Sequence, residues 1–107
     1  MHNYAAPMIL HVVTFTFRDD VTDQQLDAVD EALARLPGRI DALRSYSHGR
    51  DLGLRKGTGD YAVVALVDDE EGLTAYLDHP EHVEAVQSAV TPLVLTRQAV
   101  QITAATR

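Results

Sequence analysis

Two short segments restrict the fold more than anything else in this chain. Residues 9–18 (ILHVVTFTFR) and 60–67 (DYAVVALV) are apolar at both odd and even positions. β-Branched and aromatic residues favour extended structure, and in a strand successive side chains point to opposite faces. The first segment then places Ile9, His11, Val13, Phe15 and Phe17 on one face and Leu10, Val12, Thr14 and Thr16 on the other. Both faces of both strands need cover from water. A chain of 107 residues is one domain, with few layers available to provide it.

The remaining elements follow from capping and stop signals. Residues 21–36 read as a helix: Thr22 is the N-cap, Gln25 completes a capping box, and Val21 and Leu26 stand where a hydrophobic staple would join. Leu26, Val29, Leu33 and Leu36 make its apolar stripe. Pro37-Gly38 stops it, and residues 39–44 carry Ile40 and Leu43 inward. Residues 45–52 (SYSHGRDL) form a weaker strand, and 53–59 (GLRKGTG) a flexible connection. Asp68, with Glu71 at the capping-box position, opens a second helix carrying Leu73, Tyr76 and Leu77. His79-Pro80 interrupts it, because proline has no amide to donate and crowds the preceding turn. Pro80 then starts a further helical segment bearing Val83, Val86 and Val90, limited by Pro92. Residues 95–103 are the last strand, so the domain spans 8–103, with 1–7 and 104–107 as tails.

The order β-α-β-β-α-β implies an α+β fold of the ferredoxin-like type, a four-stranded antiparallel sheet with helices on one face. The helices cover one face only. The simplest cover for the second is the same face of another copy, giving a homodimer joined through the open sheet faces.

Composition removes several functions. Nine basic against sixteen acidic residues leave a net charge of −7, which is wrong for a nonspecific nucleic-acid binder. No apolar run approaches a membrane span, and no secretory signal precedes the first strand, so the expected location is the cytoplasm. Without cysteine there is neither a disulfide framework nor a thiolate. His79-x-x-His82 lacks a third convergent ligand, and the 53–59 loop lacks phosphate-loop spacing, so no metal or cofactor is expected. The acidic set Asp19, Asp20, Asp23, Asp27 and Asp30 reads as a solvated helix face, and Asp51 as a turn acceptor.

Histidines carry the chemical options. His11 sits on an apolar strand face, either as a half-buried imidazole bonded to backbone or water, or as part of a pocket. His79 is placed to cap the helix after the break. His82 then falls at its third position, where the helix dipole would favour the neutral ring. Tyr76, just before the break, is a core aromatic or a phenol at a cavity wall.

MILHVVTFTFRDDVT, SYSHGRDL and AYLDHPEHVEAV, in this order and spacing, together resemble the Dabb family, the stress-responsive α/β-barrel domain. The resemblance covers about residues 8–103. It implies a ferredoxin-like subunit and a dimer whose two sheets form an α/β barrel. Most members have no assigned activity. One plant member is a polyketide cyclase that closes a ring by aldol-type chemistry without metal or organic cofactor. On the Tyr-x-x-His-Pro-x-His motif its acid/base pair falls on Tyr76 and His82, with a supporting histidine at His11. The implied pocket, between sheet and helices, would be lined by Val13, Phe15, Val29, Leu33, Val63, Ala65, Val86 and Leu93. Three functions remain open: a dimer binding a small apolar or aromatic molecule, a cofactor-independent enzyme (cyclase, isomerase or monooxygenase) using His82 and Tyr76, and an assembly domain with a filled interior.

Overall fold

The computed structural model describes residues 7–104. The expected tail 1–7 therefore lies, except for Pro7, outside the described residues. Strands β1 (Ile9–Phe17), β2 (Ser45–Arg50), β3 (Tyr61–Val67) and β4 (Val94–Thr103) form one antiparallel sheet in the order β2-β3-β1-β4. Helices α1 (Asp23–Ala34), α2 (Glu70–Leu77) and α3 (Pro80–Ala85) pack on one face. This is the ferredoxin-like arrangement, with its second helix divided at His79-Pro80.

Local chemistry sets the ends of the elements. Thr22 and Gln25 form the reciprocal box: Gln25 N donates to Thr22 Oγ1 (3.2 Å) and Thr22 N to Gln25 Oε1 (2.9 Å). The helix ends at Ala34 rather than at residue 36. Pro37 crowds the carbonyl four residues back, and Leu36–Gly38 tighten into a 3₁₀ turn instead. The α2 cap is Asp69, not Asp68: Asp69 Oδ1 accepts from Gly72 N at 2.8 Å. Asp68 is held instead by both arms of Arg44, at 3.0 and 2.8 Å, which ties the approach to β2 to the end of β3. His79 caps α3, its Nδ1 accepting from Glu81 N at 3.1 Å. The helix then widens into a π turn (Val86–Val90) and tightens into a 3₁₀ turn (Thr91–Leu93) before β4. Val83 consequently leaves the expected stripe and faces solvent; Ala85 and Val90 are buried in the core, with Val86 packed against it. Ala104 is not tail: its amide donates to Met8 O at 2.8 Å and the residue is buried.

Three of the five acidic residues read as solvated have partners: Asp20 meets Arg18 at 3.6 Å, and Asp27 and Asp30 meet Arg50. Arg50, at the end of β2, bonds both Asp27 and Asp30 of α1. Asp30 also accepts from the Tyr61 hydroxyl (2.8 Å), which in turn receives His48 Nδ1 (2.8 Å). Burial, then the bond to Asp30, raises the Tyr61 phenol above its ordinary value and keeps it a donor. Tyr61→Phe breaks the chain at its centre. It should lower stability by roughly 1.5–3 kcal/mol, the range for hydrogen bonds to charged groups. Urea unfolding reads this directly, and an unchanged midpoint would show the chain to be ornamental.

The 53–59 segment is less free than its composition suggests. Asp51 Oδ2 accepts from Gly53 N (3.0 Å) and Thr58 Oγ1 (2.9 Å), the turn-acceptor role. Gly53 and Gly57 take positive φ there, +71° and +81°.

Strand alternation separates the sheet's two faces. Ile9, His11, Val13, Phe15 and Phe17 meet the helices. On the other face the register sets Leu10 between Leu66 and Ile102, and Val12 between Val64 and Val100. Nothing among the described residues covers this face at β4: Val100 and Ile102 are 53% and 50% exposed.

Candidate functional site

Between the sheet and the α2–α3 segment the core leaves a cavity of about 60 Å³. That is room for roughly four or five waters, or as many heavy atoms of a chain. Its walls come from every layer: His11, Val13 and Phe15 of β1, Tyr46 of β2, Val63 of β3, Leu33 of α1, Tyr76 and Leu77 of α2, His82 of α3, Val86 and Val90 of the π turn, and Arg97 of β4. Of the residues expected to line it, Val13, Phe15, Leu33, Val63 and Val86 do, as do His11, Tyr76 and His82. Val29, Ala65 and Leu93 do not; they are buried in the core away from the cavity. Periodicity correctly gave them an inward face, but a small side chain such as Ala65, flat on the sheet between His11 and Tyr46, is covered by its neighbours. Tyr46, Leu77, Val90 and Arg97 were missed. For Tyr46 the available signal was parity, since it shares the inward face of β2 with His48 and Arg50.

The polar groups are arranged by the elements that carry them. The His79-Pro80 break turns α3 so that His82 Nδ1 donates to the Leu77 carbonyl at 3.0 Å. A carbonyl only accepts, so the proton sits on Nδ1 and Nε2 keeps its lone pair. The His82 ring lies against Tyr76, centroids 4.6 Å apart. His11 is 2% exposed and meets Tyr76 edge-on at 6.1 Å. Its Nδ1 partner is a side chain: Gln101 Nε2 donates to His11 Nδ1 at 2.7 Å, which leaves the His11 proton on Nε2. Tyr46 stands edge-on to Tyr76, also at 6.1 Å. Its hydroxyl is buried without a hydrogen-bond partner among the described residues.

Burial dominates the protonation states. It pushes both imidazoles below their ordinary value. For His11 the Arg97 guanidinium and then His82 add to the effect; for His82 the bond to Leu77 opposes it and Arg97 adds. The neutral His82 expected from the helix dipole thus arises first from desolvation. Burial also raises Tyr46 and Tyr76, so both phenols stay protonated donors. No cluster of three or more metal-binding side chains occurs among the described residues, and His79 Nδ1 is already used as a cap.

These shifts have a measurable sign. A histidine whose folded pKa is depressed binds a proton more readily when unfolded. Its contribution is fully present above the unfolded value of 6.5 and is lost as pH falls below it. The urea midpoint should drop between about pH 7 and pH 5, and a His11→Gln, His82→Gln double variant should lose less of it. Equal losses in both proteins would contradict the assignment.

The Stress responsive A/B Barrel Domain family model matches residues 9–104. The chain belongs to the stress-responsive A/B barrel family. This Dabb chain is 35% identical over 77 residues to an uncharacterized protein of Streptomyces coelicolor, covering 70% of this chain and 79% of the relative. A crystal structure of a dimeric ferredoxin-like protein of unknown function from Thermobifida fusca is 40% identical, covers 95% of each chain and superposes with a TM-score of 0.87. A cofactor-independent oxygenase from Streptomyces nogalater shares the fold at 19% identity, covering 95% of this Dabb chain and 97% of its own, with a TM-score of 0.72. Among the described residues no helix is long and apolar enough to cross a membrane.

Proposed function

We propose that this Dabb chain is a homodimer, joined through the open faces of its sheets, and that each subunit binds a small, largely apolar molecule in the cavity beneath α2 and α3. The cavity carries this reading. Protein interiors pack with few voids larger than water, and a domain serving assembly alone gains nothing by leaving one. Here about 60 Å³ stays open beside two neutral imidazoles and the Tyr46 and Tyr76 phenols. The uncovered row Leu10, Val12, Val64, Leu66, Val100 and Ile102 supports the dimer, as does the dimeric Thermobifida relative. Pentan-2-one, with six heavy atoms, would fill the space with its chain and leave one end at the mouth. It should raise the thermal midpoint of the native protein by mass action. Val86→Phe, which fills the cavity, should remove the increase. An equal increase in both proteins would place the ligand elsewhere.

The lone pair on His82 Nε2 favours a second reading, acid–base catalysis without a cofactor. Nε2 would take a proton from the carbon beside a substrate carbonyl. The C–H electron pair would become the enolate double bond, and the Tyr76 hydroxyl would hydrogen-bond the developing oxyanion. His11 would orient the substrate from the opposite wall. Support comes from the close approach of the His82 and Tyr76 rings, centroids 4.6 Å apart, and from the depressed basicity of His82. The Streptomyces nogalater oxygenase, a cofactor-independent enzyme, shares this fold.

A further inference from the structure

Arg97 is the one exposed residue among those lining the cavity, so the mouth opens beside it. It pairs across the sheet with Phe15, whose side chain faces the helices. Strand alternation therefore puts the guanidinium on the helix side, away from the open face that would be covered in a dimer.

Arg18, Arg39, Arg44 and Arg50 each meet a carboxylate, whereas among the described residues Arg35 and Arg55, neither of which lines the cavity, do not. Among the described residues Arg97 meets none, in a chain with seven more acidic than basic side chains. No Asp or Glu lines the cavity. Its other titratable walls are His11, His82, Tyr46 and Tyr76, which burial holds neutral. The site is thus an apolar pocket with a single charge, positive, at its entrance.

We propose that the ligand is a small monocarboxylate whose apolar tail enters the cavity while its carboxylate is held at the mouth by Arg97. The inference rests on the reading of the cavity as a ligand site and adds the charge of the molecule it takes. A planar guanidinium presents a fork that matches a carboxylate. The cavity's volume of about 60 Å³ matches a tail of about four carbons.

Pentanoate and pentanamide have the same shape and differ in charge. Each is titrated into the ¹⁵N-labelled native protein and into Arg97→Met, following the backbone amides of Val13, Val63 and His82. Pentanoate should bind the native protein about tenfold more tightly than pentanamide. Arg97→Met should abolish that preference by weakening pentanoate while leaving pentanamide within about twofold. Raising NaCl from about 0.05 to 0.5 M should shrink the preference in the native protein, since the pair is exposed to solvent. Equal binding of the two probes to the native protein overturns the anion inference and leaves the cavity reading standing. So does a preference that survives in Arg97→Met. Failure of both probes to move the cavity amides overturns the cavity reading itself.

Discussion

Val12→Glu should break the proposed dimer, leaving a monomer at micromolar concentration. Val12 lies at the centre of the open face, between Val64 on β3 and Val100 on β4. A two-fold interface would bring two copies of the new carboxylate close together in a dry surface with no cation facing them. Each unpaired buried charge costs several kcal/mol, so dissociation should strengthen by about a thousandfold or more. Sedimentation would read 11.7 kDa in place of twice that. The exposed leucines of the β2–β3 loop, Leu52 and Leu54, supply the contrast. Leu52→Asp should leave the dimer intact. The reverse pattern, a dimeric Val12→Glu and a monomeric Leu52→Asp, would move the interface to the loop.

His82→Gln should slow proton exchange at carbon beside a bound carbonyl by about 10²–10⁴-fold, the usual contribution of a positioned general base. Pentan-2-one in D₂O reports this without knowledge of the natural substrate, because incorporation of deuterium beside its carbonyl is slow unaided. The native protein should accelerate incorporation. His82→Gln should return it close to the background rate, because glutamine can replace the bond to the Leu77 carbonyl but offers no basic nitrogen. Tyr76→Phe should slow it less, through loss of the oxyanion donor. Native-like exchange in His82→Gln would remove the imidazole from the chemistry and leave the binding reading alone.

The fold was legible because its strands and stop signals are strong and local. The two doubly apolar strands gave the sheet its centre, and the Thr22 box and the His79-Pro80 break gave the helix ends. Competition between neighbours was harder to read. Asp68 and Asp69 are both good caps, and only the reach of Arg44 from a distant segment takes Asp68 away. The site was legible in part for the same reason. His11, Tyr76 and His82 come together because parity and the proline break orient them. A core-facing position says which side a residue joins but not how deep it lies, so the pocket that the resemblance implied included Val29, Ala65 and Leu93, which are buried without lining the cavity. Arg97 was hidden by its own strand. The apolar residues of the far half of β4, Val100 and Ile102, lie on the open face, so a simple pattern turns that strand the wrong way round. Its register with β1 also shifts at Thr16/Phe17, an irregularity that no sequence pattern announced.

The central claim is that the space beneath α2 and α3 receives a small molecule. An amide-resolved NMR titration of the native protein with pentan-2-one tests it most directly. The account predicts saturable shifts at Val13, Val63, Tyr76, His82 and Val86, with Val12, Val64 and Val100 unmoved. Shifts confined to the open face or to Leu52 and Leu54, with the cavity residues silent, would contradict it.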